Sequence, residues 1–270
     1  MPTVKVVLEY DGSRYAGWQR QPDQPTIQEA VETAVFHLIQ ETVSVIGAGR
    51  TDAGVHAIGQ VASFRTEREW TPREWVRALN ARLPQDIAAR SAAIVSDDFH
   101  ARYAAIGKLY EYRILNRGER PALDRAYVWH VHTALDATAM ERAAAILVGA
   151  HDFSSFEGSL TDNEDPVCDL RQLSVTRRGD LMTIQAYADR FLKHMVRAIV
   201  GTLVEVGHGK RTADSLAAVL AAKDRPAAGR TAPPQGLFLV HVDYEGEAAR
   251  QTIHRHTGED RQDGSADKRL

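Results

Sequence analysis

Gly47-Ala48-Gly49-Arg50-Thr51-Asp52-Ala53-Gly54-Val55-His56 sets one cation and one carboxylate among three glycines. An apolar run, residues 43–48, leads into this stretch, and a second, residues 59–65, follows it. Short apolar runs bounded by glycine read as buried strands, so the stretch is a loop between two strands. Toward the N-terminus, Val4, Val6, Leu8 and Tyr10 alternate with Lys5, Val7 and Glu9, the pattern of a strand with one buried face. Thr26-Ile27-Gln28-Glu29 then has the form of a capping box and opens an amphipathic helix to about residue 39. Toward the C-terminus, Thr71-Pro72-Arg73-Glu74 is a second such box, with proline at the first helical position. Its helix ends before Pro84, and residues 87–95 read as another strand. The order strand, helix, strand, strand, helix, strand is the split βαβ, or ferredoxin-like, arrangement.

A similar order follows. Residues 109–115 read as a strand and 136–148 as an alanine-rich helix. Residues 173–176 and 182–188 flank the turn Arg177-Arg178-Gly179-Asp180. Residues 192–206 form a long apolar helix, 212–222 an added helix, and 237–242 a closing strand. The expectation is an α+β protein of two ferredoxin-like α/β subdomains, residues 1–104 and 105–244, with the active-site cleft between them. Residues 245–270 are polar, offer little to bury, and read as a disordered tail.

The 270 residues are 44% hydrophobic, enough for a sizeable core, and contain no run of eighteen apolar residues to span a membrane. Cys168 is the only cysteine, which excludes an internal disulfide. With no signal-peptide pattern at Met1-Pro2-Thr3-Val4-Lys5, a cytoplasmic location is expected. The net charge of -3 argues against a uniformly basic nucleic-acid binder. Arginines do crowd two regions, Arg65 to Arg90 and Arg102 to Arg125, while Glu157, Asp162, Glu164, Asp165 and Asp169 crowd a third. On charge alone, ordinary solvated surface is the favoured reading of the arginine runs.

The glycine-flanked loop suits a catalytic group on a rigid base, and a capped turn with a surface aspartate suits it as well. It is neither a dinucleotide fingerprint nor a phosphate loop, because the glycine spacing fails and no Gly-Lys-Ser/Thr ending follows. Thr-Asp-Ala-Gly also lacks the order and the second copy of an aspartic-protease site.

More specific is a resemblance carried by several blocks. Gly49-Arg50-Thr51-Asp52-Ala53-Gly54-Val55-His56 resembles the signature of the bacterial tRNA pseudouridine synthase A family. Tyr10-Asp11-Gly12-Ser13-Arg14-Tyr15-Ala16-Gly17-Trp18-Gln19 resembles its opening segment, and Thr26-Ile27-Gln28 its first helix start. Leu79-Asn80-Ala81-Arg82-Leu83-Pro84, Phe99-His100-Ala101-Arg102 and Lys108-Leu109-Tyr110-Glu111-Tyr112-Arg113 are similar to its central blocks. His151-Asp152-Phe153-Ser154-Ser155-Phe156, Phe191-Leu192-Lys193-His194-Met195-Val196-Arg197 and Gly236-Leu237-Phe238-Leu239 are similar to its later ones. The blocks run in order from Val4 to Tyr244.

The resemblance implies isomerisation of uridine to pseudouridine in the anticodon stem-loop of tRNA, at nucleotides 38–40, by a homodimer whose two chains share one tRNA. It assigns the nucleophile to Asp52, an active-site tyrosine to Tyr110 and the cationic partner of Asp52 to Arg197. Chemistry agrees: a carboxylate suits a reaction that develops positive charge at a sugar carbon. A phenol can stack on an extruded uracil and take part in proton transfer at C5. Arg50 is expected to fill the space of the flipped base or hold its phosphate, the alternative being a salt bridge within the loop. Lys193 and His194 are candidate phosphate contacts, helix capping being the alternative. An isomerisation calls for no cofactor and no metal. Three further groupings weigh less. His151, Asp152, Ser154 and Ser155 fit capping better than a catalytic triad. His130 and His132 alone are thin grounds for zinc. The acidic stretch 162–169 departs from the family pattern and is expected to lie away from RNA. The rival readings are a non-catalytic RNA-binding protein on the same scaffold and a glycosidase-like enzyme acting on free nucleosides.

Overall fold

In the computed structural model, residues 1–158 and 165–246 are described. Residues 247–270 of the expected tail, and Asp162 and Glu164 of the acidic stretch, lie outside them. Strands β1 (Thr3–Tyr10), β2 (Ile46–Gly47), β3 (His56–Arg65) and β4 (Ile87–Val95) alternate with helices α1 (Ile27–Ile39) and α2 (Pro72–Asn80). Then come β5 (Ala105–Asn116), β6 (Trp129–Val131), α3 (Ala137–Ile146), β7 (Gly149–Asp152), β8 (Val167–Arg178), β9 (Leu181–Ala188), α4 (Met195–Gly207), α5 (Ser215–Ala222) and β10 (Leu237–Tyr244). One mixed sheet runs β4-β1-β3-β10-β5-β9-β8-β7, with β2 on β3 and β6 on β5. All of its pairings are antiparallel except β10 with β3 and β5 with β6. A single hydrophobic cluster extends from Val4 to Tyr244. Among the described residues, no helix is long and apolar enough to cross a membrane.

Local sequence accounts for most of these elements. Thr71 and Glu74 form a complete capping box at α2. At α1 only half of it forms: the Thr26 hydroxyl accepts from Glu29 N, while the Glu29 carboxylate faces Arg20 at 3.5 Å. Strand β2 is shorter than its apolar run because side chains of α1 occupy the backbone of Val45. Glu32 accepts from Val45 N and Gln28 donates to Val45 O, both at 3.1 Å. Strand β3 starts earlier than expected. Gly59 lies inside it, where a Cβ would sit 2.3 Å from Val240 O, so this glycine marks a close approach to β10 and not a strand end. Helix α4 starts three residues late, and β8 is longer than its apolar core because a register shift at Leu170/Gln172 interrupts the alternation. Strands β6 and β7 are too short to leave a periodic signal.

The register of β10 positions the site. Leu239 pairs with Ala57 on one side and with Tyr110 on the other. The exit of the 47–56 loop and Tyr110 therefore lie two strand spacings apart, roughly 10 Å. Tyr110 also pairs with Ala186 on β9, whose chain continues to Phe191 and α4.

Candidate active site

The loop between β2 and β3 is tied down by its neighbours. Ala48 N donates to Val61 O at 2.7 Å, Trp18 N to Thr51 O at 3.0 Å, and Gly54 N to Tyr15 O at 3.3 Å. Behind it, the Tyr10 hydroxyl and Thr51 Oγ1 are 2.8 Å apart, and Gln60 Nε2 donates to Gly49 O at 2.8 Å. Burial pushes the Tyr10 phenol up to about 12, which keeps it a neutral hydrogen-bonding group. Gly17 makes the close packing possible: its φ is +102°, and a Cβ there would sit 2.5 Å from Thr51 O.

Asp52 emerges from this base half-buried. Arg197 Nη1 donates to its Oδ2 at 2.8 Å, and His194 Nε2 lies 3.5 Å from the same oxygen. Arg197 is one of two charged residues, with Glu205, on a helix buried almost all round, and a second of its donors is also used, Nε to Ala232 O at 2.8 Å. His194 caps α4 in the left-handed region, φ 61°, an uncommon conformation for a residue with a side chain. Its ring fills the space over Gly158, where a Cβ would strike the imidazole. Burial holds the His194 pKa below the usual range, against the opposing pull of Asp52. Tyr110 is buried on β5, with its ring edge-to-face on Phe191 at 5.1 Å. Burial first, and then the charges of Tyr10 and Asp52, push its phenol well above the ordinary range, so the hydroxyl stays protonated.

These residues line a cleft of ≈ 1160 Å³. Its Lys and Arg side chains are Arg50, Arg102, Lys108, Arg171, Arg190, Lys193 and Arg197, against two carboxylates, Asp52 and Asp189. A chain of net charge -3 thus holds a cleft whose charged side chains are mainly cations. Lys108 is half-buried in its wall, and desolvation lowers its pKa. Among the described residues, no group of three or more His, Cys, Asp or Glu side chains is placed to hold a metal ion.

A profile of the tRNA pseudouridine synthases matches residues 6–104 and 143–245. The chain belongs to the tRNA pseudouridine synthase family. Among its relatives is a tRNA pseudouridine synthase A of Rhodospirillum rubrum, 49% identical over 92% of this chain and 90% of the relative. The protein of the same name from Rhodospirillum centenum is 50% identical over 90% of this chain and all of the relative. That from Myxococcus xanthus is 47% identical over 93% and 95%.

Seen in this synthase-family fold, the residues singled out from sequence separate into groups. Asp52, Arg197, His194 and Tyr110 converge on one cleft. Arg50 and Lys193 line it too, both exposed, and neither forms an ion pair among the described residues. The salt bridge within the loop considered for Arg50 is not formed. Tyr112 parts from Tyr110: it is fully buried, donates to Pro233 O at 2.7 Å, and packs edge-to-face on Trp129. Asp152 accepts from Ser154 N at 3.0 Å and from Ser154 Oγ, while Ser155 donates to Val219 O, which is turn and packing chemistry. His130 lies within 2.8 Å of Arg117 O. Of the acidic stretch, Asp165 pairs with Arg190 at 3.1 Å and Asp169 with Arg171 at 2.9 Å. Both arginines line the cleft, so the described acids abut it and offset part of its charge. Sequence reasoning missed Gln60 and Lys108. Gln60 gave one faint signal, an amide inside an apolar strand run.

Proposed function

We propose that this chain isomerises uridine to pseudouridine in the anticodon stem-loop of tRNA, with Asp52 as the nucleophile. The observation that carries the reading is the Arg197–Asp52 pair, 2.8 Å long, at the floor of a cation-lined cleft. In the reaction the N1–C1′ bond breaks, the base turns, and C5 bonds to C1′. The proton on C5 leaves and N1 takes one up, so nothing is oxidised or reduced. Arg197 and His194 both address Oδ2, which leaves Oδ1 as the oxygen free to meet the sugar or base. Tyr110, held as a neutral phenol, offers its ring to an extruded uracil and its O–H as a donor. The exposed Arg50 and Lys193 meet phosphate.

The two-subdomain organisation belongs to the same proposal. Its support is strand order: β4-β1-β3 with β2 on β3, and β10-β5-β9-β8, each follow the order 4-1-3-2 of a split βαβ unit. The units are residues 1–104 and 105–244, and Asp52 comes from one while Tyr110 and Arg197 come from the other. We place the enzyme in the cytoplasm as a homodimer, since a second chain would double the unpaired cations available to one tRNA.

The test is to incubate the chain separately with unmodified tRNA and with free uridine, digest the products and map pseudouridine. Product from tRNA alone, within the anticodon stem-loop, is expected. Product from free uridine would favour the nucleoside reading, and RNA binding without product the non-catalytic one.

A further inference from the structure

The rim of the cleft carries an aromatic ring that the core does not use. Tyr103 is 78% exposed, yet it lines the same cleft as Asp52. Its ring is backed by His100, with centroids 4.2 Å apart and planes at 28°. His100 Nδ1 in turn accepts the backbone N–H groups of Arg102 and Tyr103, each at 3.2 Å. One ring face is therefore braced by a fixed imidazole, while the residue as a whole stays largely exposed. The Arg102 guanidinium carbon lies over the same ring, 5.8 Å from its centroid, and Arg102 forms no ion pair among the described residues. Ile106, 47% exposed, continues the apolar shelf along the cleft.

An exposed aromatic costs nothing in sequence tolerance terms when alone, but a braced ring beside an unpaired cation in a nucleic-acid cleft has a specific use. Unpaired bases stack on such rings while a neighbouring cation takes the phosphate. We propose that Tyr103 is a stacking platform for an unpaired nucleobase of the substrate RNA, flanking the base taken to Asp52, with Arg102 on its phosphate. The proposal rests on the reading of RNA as substrate. It favours RNA over a second copy of this chain because the cations that share the rim suit a polyanion and would repel their own copies.

The experiment is steady-state kinetics on a tRNA anticodon stem-loop with a ladder of variants. Tyr103→Ala raises KM about tenfold and leaves kcat within about twofold. Tyr103→Phe and Tyr103→Trp restore KM, whereas Tyr103→Leu, apolar but not aromatic, does not. The dependence of affinity on salt is unchanged in Tyr103→Ala and becomes shallower by about one in Arg102→Ala. An unchanged KM in Tyr103→Ala, or Leu performing as well as Phe, overturns the proposal. So does loss of self-association by Tyr103→Ala without RNA, which would assign the ring to a chain–chain contact. If the parent chain makes no pseudouridine in the stem-loop, the underlying reading fails instead, and the two failures are distinct.

Discussion

Thr51 and Asp52 on the floor of the cleft are bound to Trp18, Tyr10 and Arg197, whereas Arg50, one residue earlier, and Lys193 across the cleft reach out without ion pairs among the described residues. The floor is finished before substrate arrives, with the loop backbone hydrogen-bonded and Oδ2 of Asp52 already engaged. Under the proposed function, the rim is left for the substrate to complete. A reaction at a sugar carbon gains from a fixed carboxylate, since geometry set in advance need not be ordered at the transition state. Recognition of a polyanion gains from extended, unpaired cations, which exchange counterions for phosphate.

This contrast can be broken or sharpened by substitution. Removing Arg197 should have the largest effect: Arg197→Ala is expected to lower turnover by about a hundredfold or more, because the donor that fixes Asp52 disappears. Arg197→Lys should recover little of it, since one ammonium replaces a planar fork that bonds Asp52 and Ala232 O together. Single-turnover rates on stem-loop RNA decide this, and near-parental rates in Arg197→Ala would mean that the floor does not depend on the pair. Next comes Gly17→Ala, which adds a Cβ against Thr51 O at a strained φ. A loss of roughly 2 kcal/mol or more is expected, visible as a lower Tm, together with reduced turnover because Thr51 and Asp52 must shift. The smallest effect is expected at the rim. Arg50→Ala or Lys193→Ala should keep the parental Tm, weaken RNA binding a few-fold, and make its salt dependence shallower by about one each. A change in Tm without a change in salt slope would show that these side chains belong to the floor.

Much of the floor was legible in the sequence, whereas of the cations around it only Arg50, Lys193 and Arg197 were, for a physical reason. The floor is contiguous: Gly49 to His56 carries its glycines, cation and carboxylate in one stretch, and the family resemblance supplied Tyr110 and Arg197. The cation lining is assembled from distant segments, namely Arg50, then Arg102 and Lys108, then Arg171 and Arg190, then Lys193 and Arg197. The conspicuous arginine run from Arg65 to Arg90 contributes nothing to the cleft. Arg65 donates to Asp97 O, Arg68 covers Trp70, and Arg90 meets Glu9. Element order was legible because capping boxes and alternation are local. Strand lengths were not, because Val45 loses its strand partner to side chains of α1, and Gly59 is held in β3 by β10 from the far end of the chain. Tyr110 and Tyr112 are indistinguishable by spacing. Only tertiary packing sends one to the cleft and the other to the core.

The central claim is that Asp52 supplies the nucleophile on a prebuilt floor, and Asp52→Asn tests it most directly, because shape is kept and charge removed. The measurement is tritium release from uridine-labelled tRNA in a single turnover, alongside equilibrium binding of the same RNA. The account predicts that release falls by at least about a thousandfold while affinity stays within about threefold. Near-parental release by Asp52→Asn, with RNA bound normally, would contradict it.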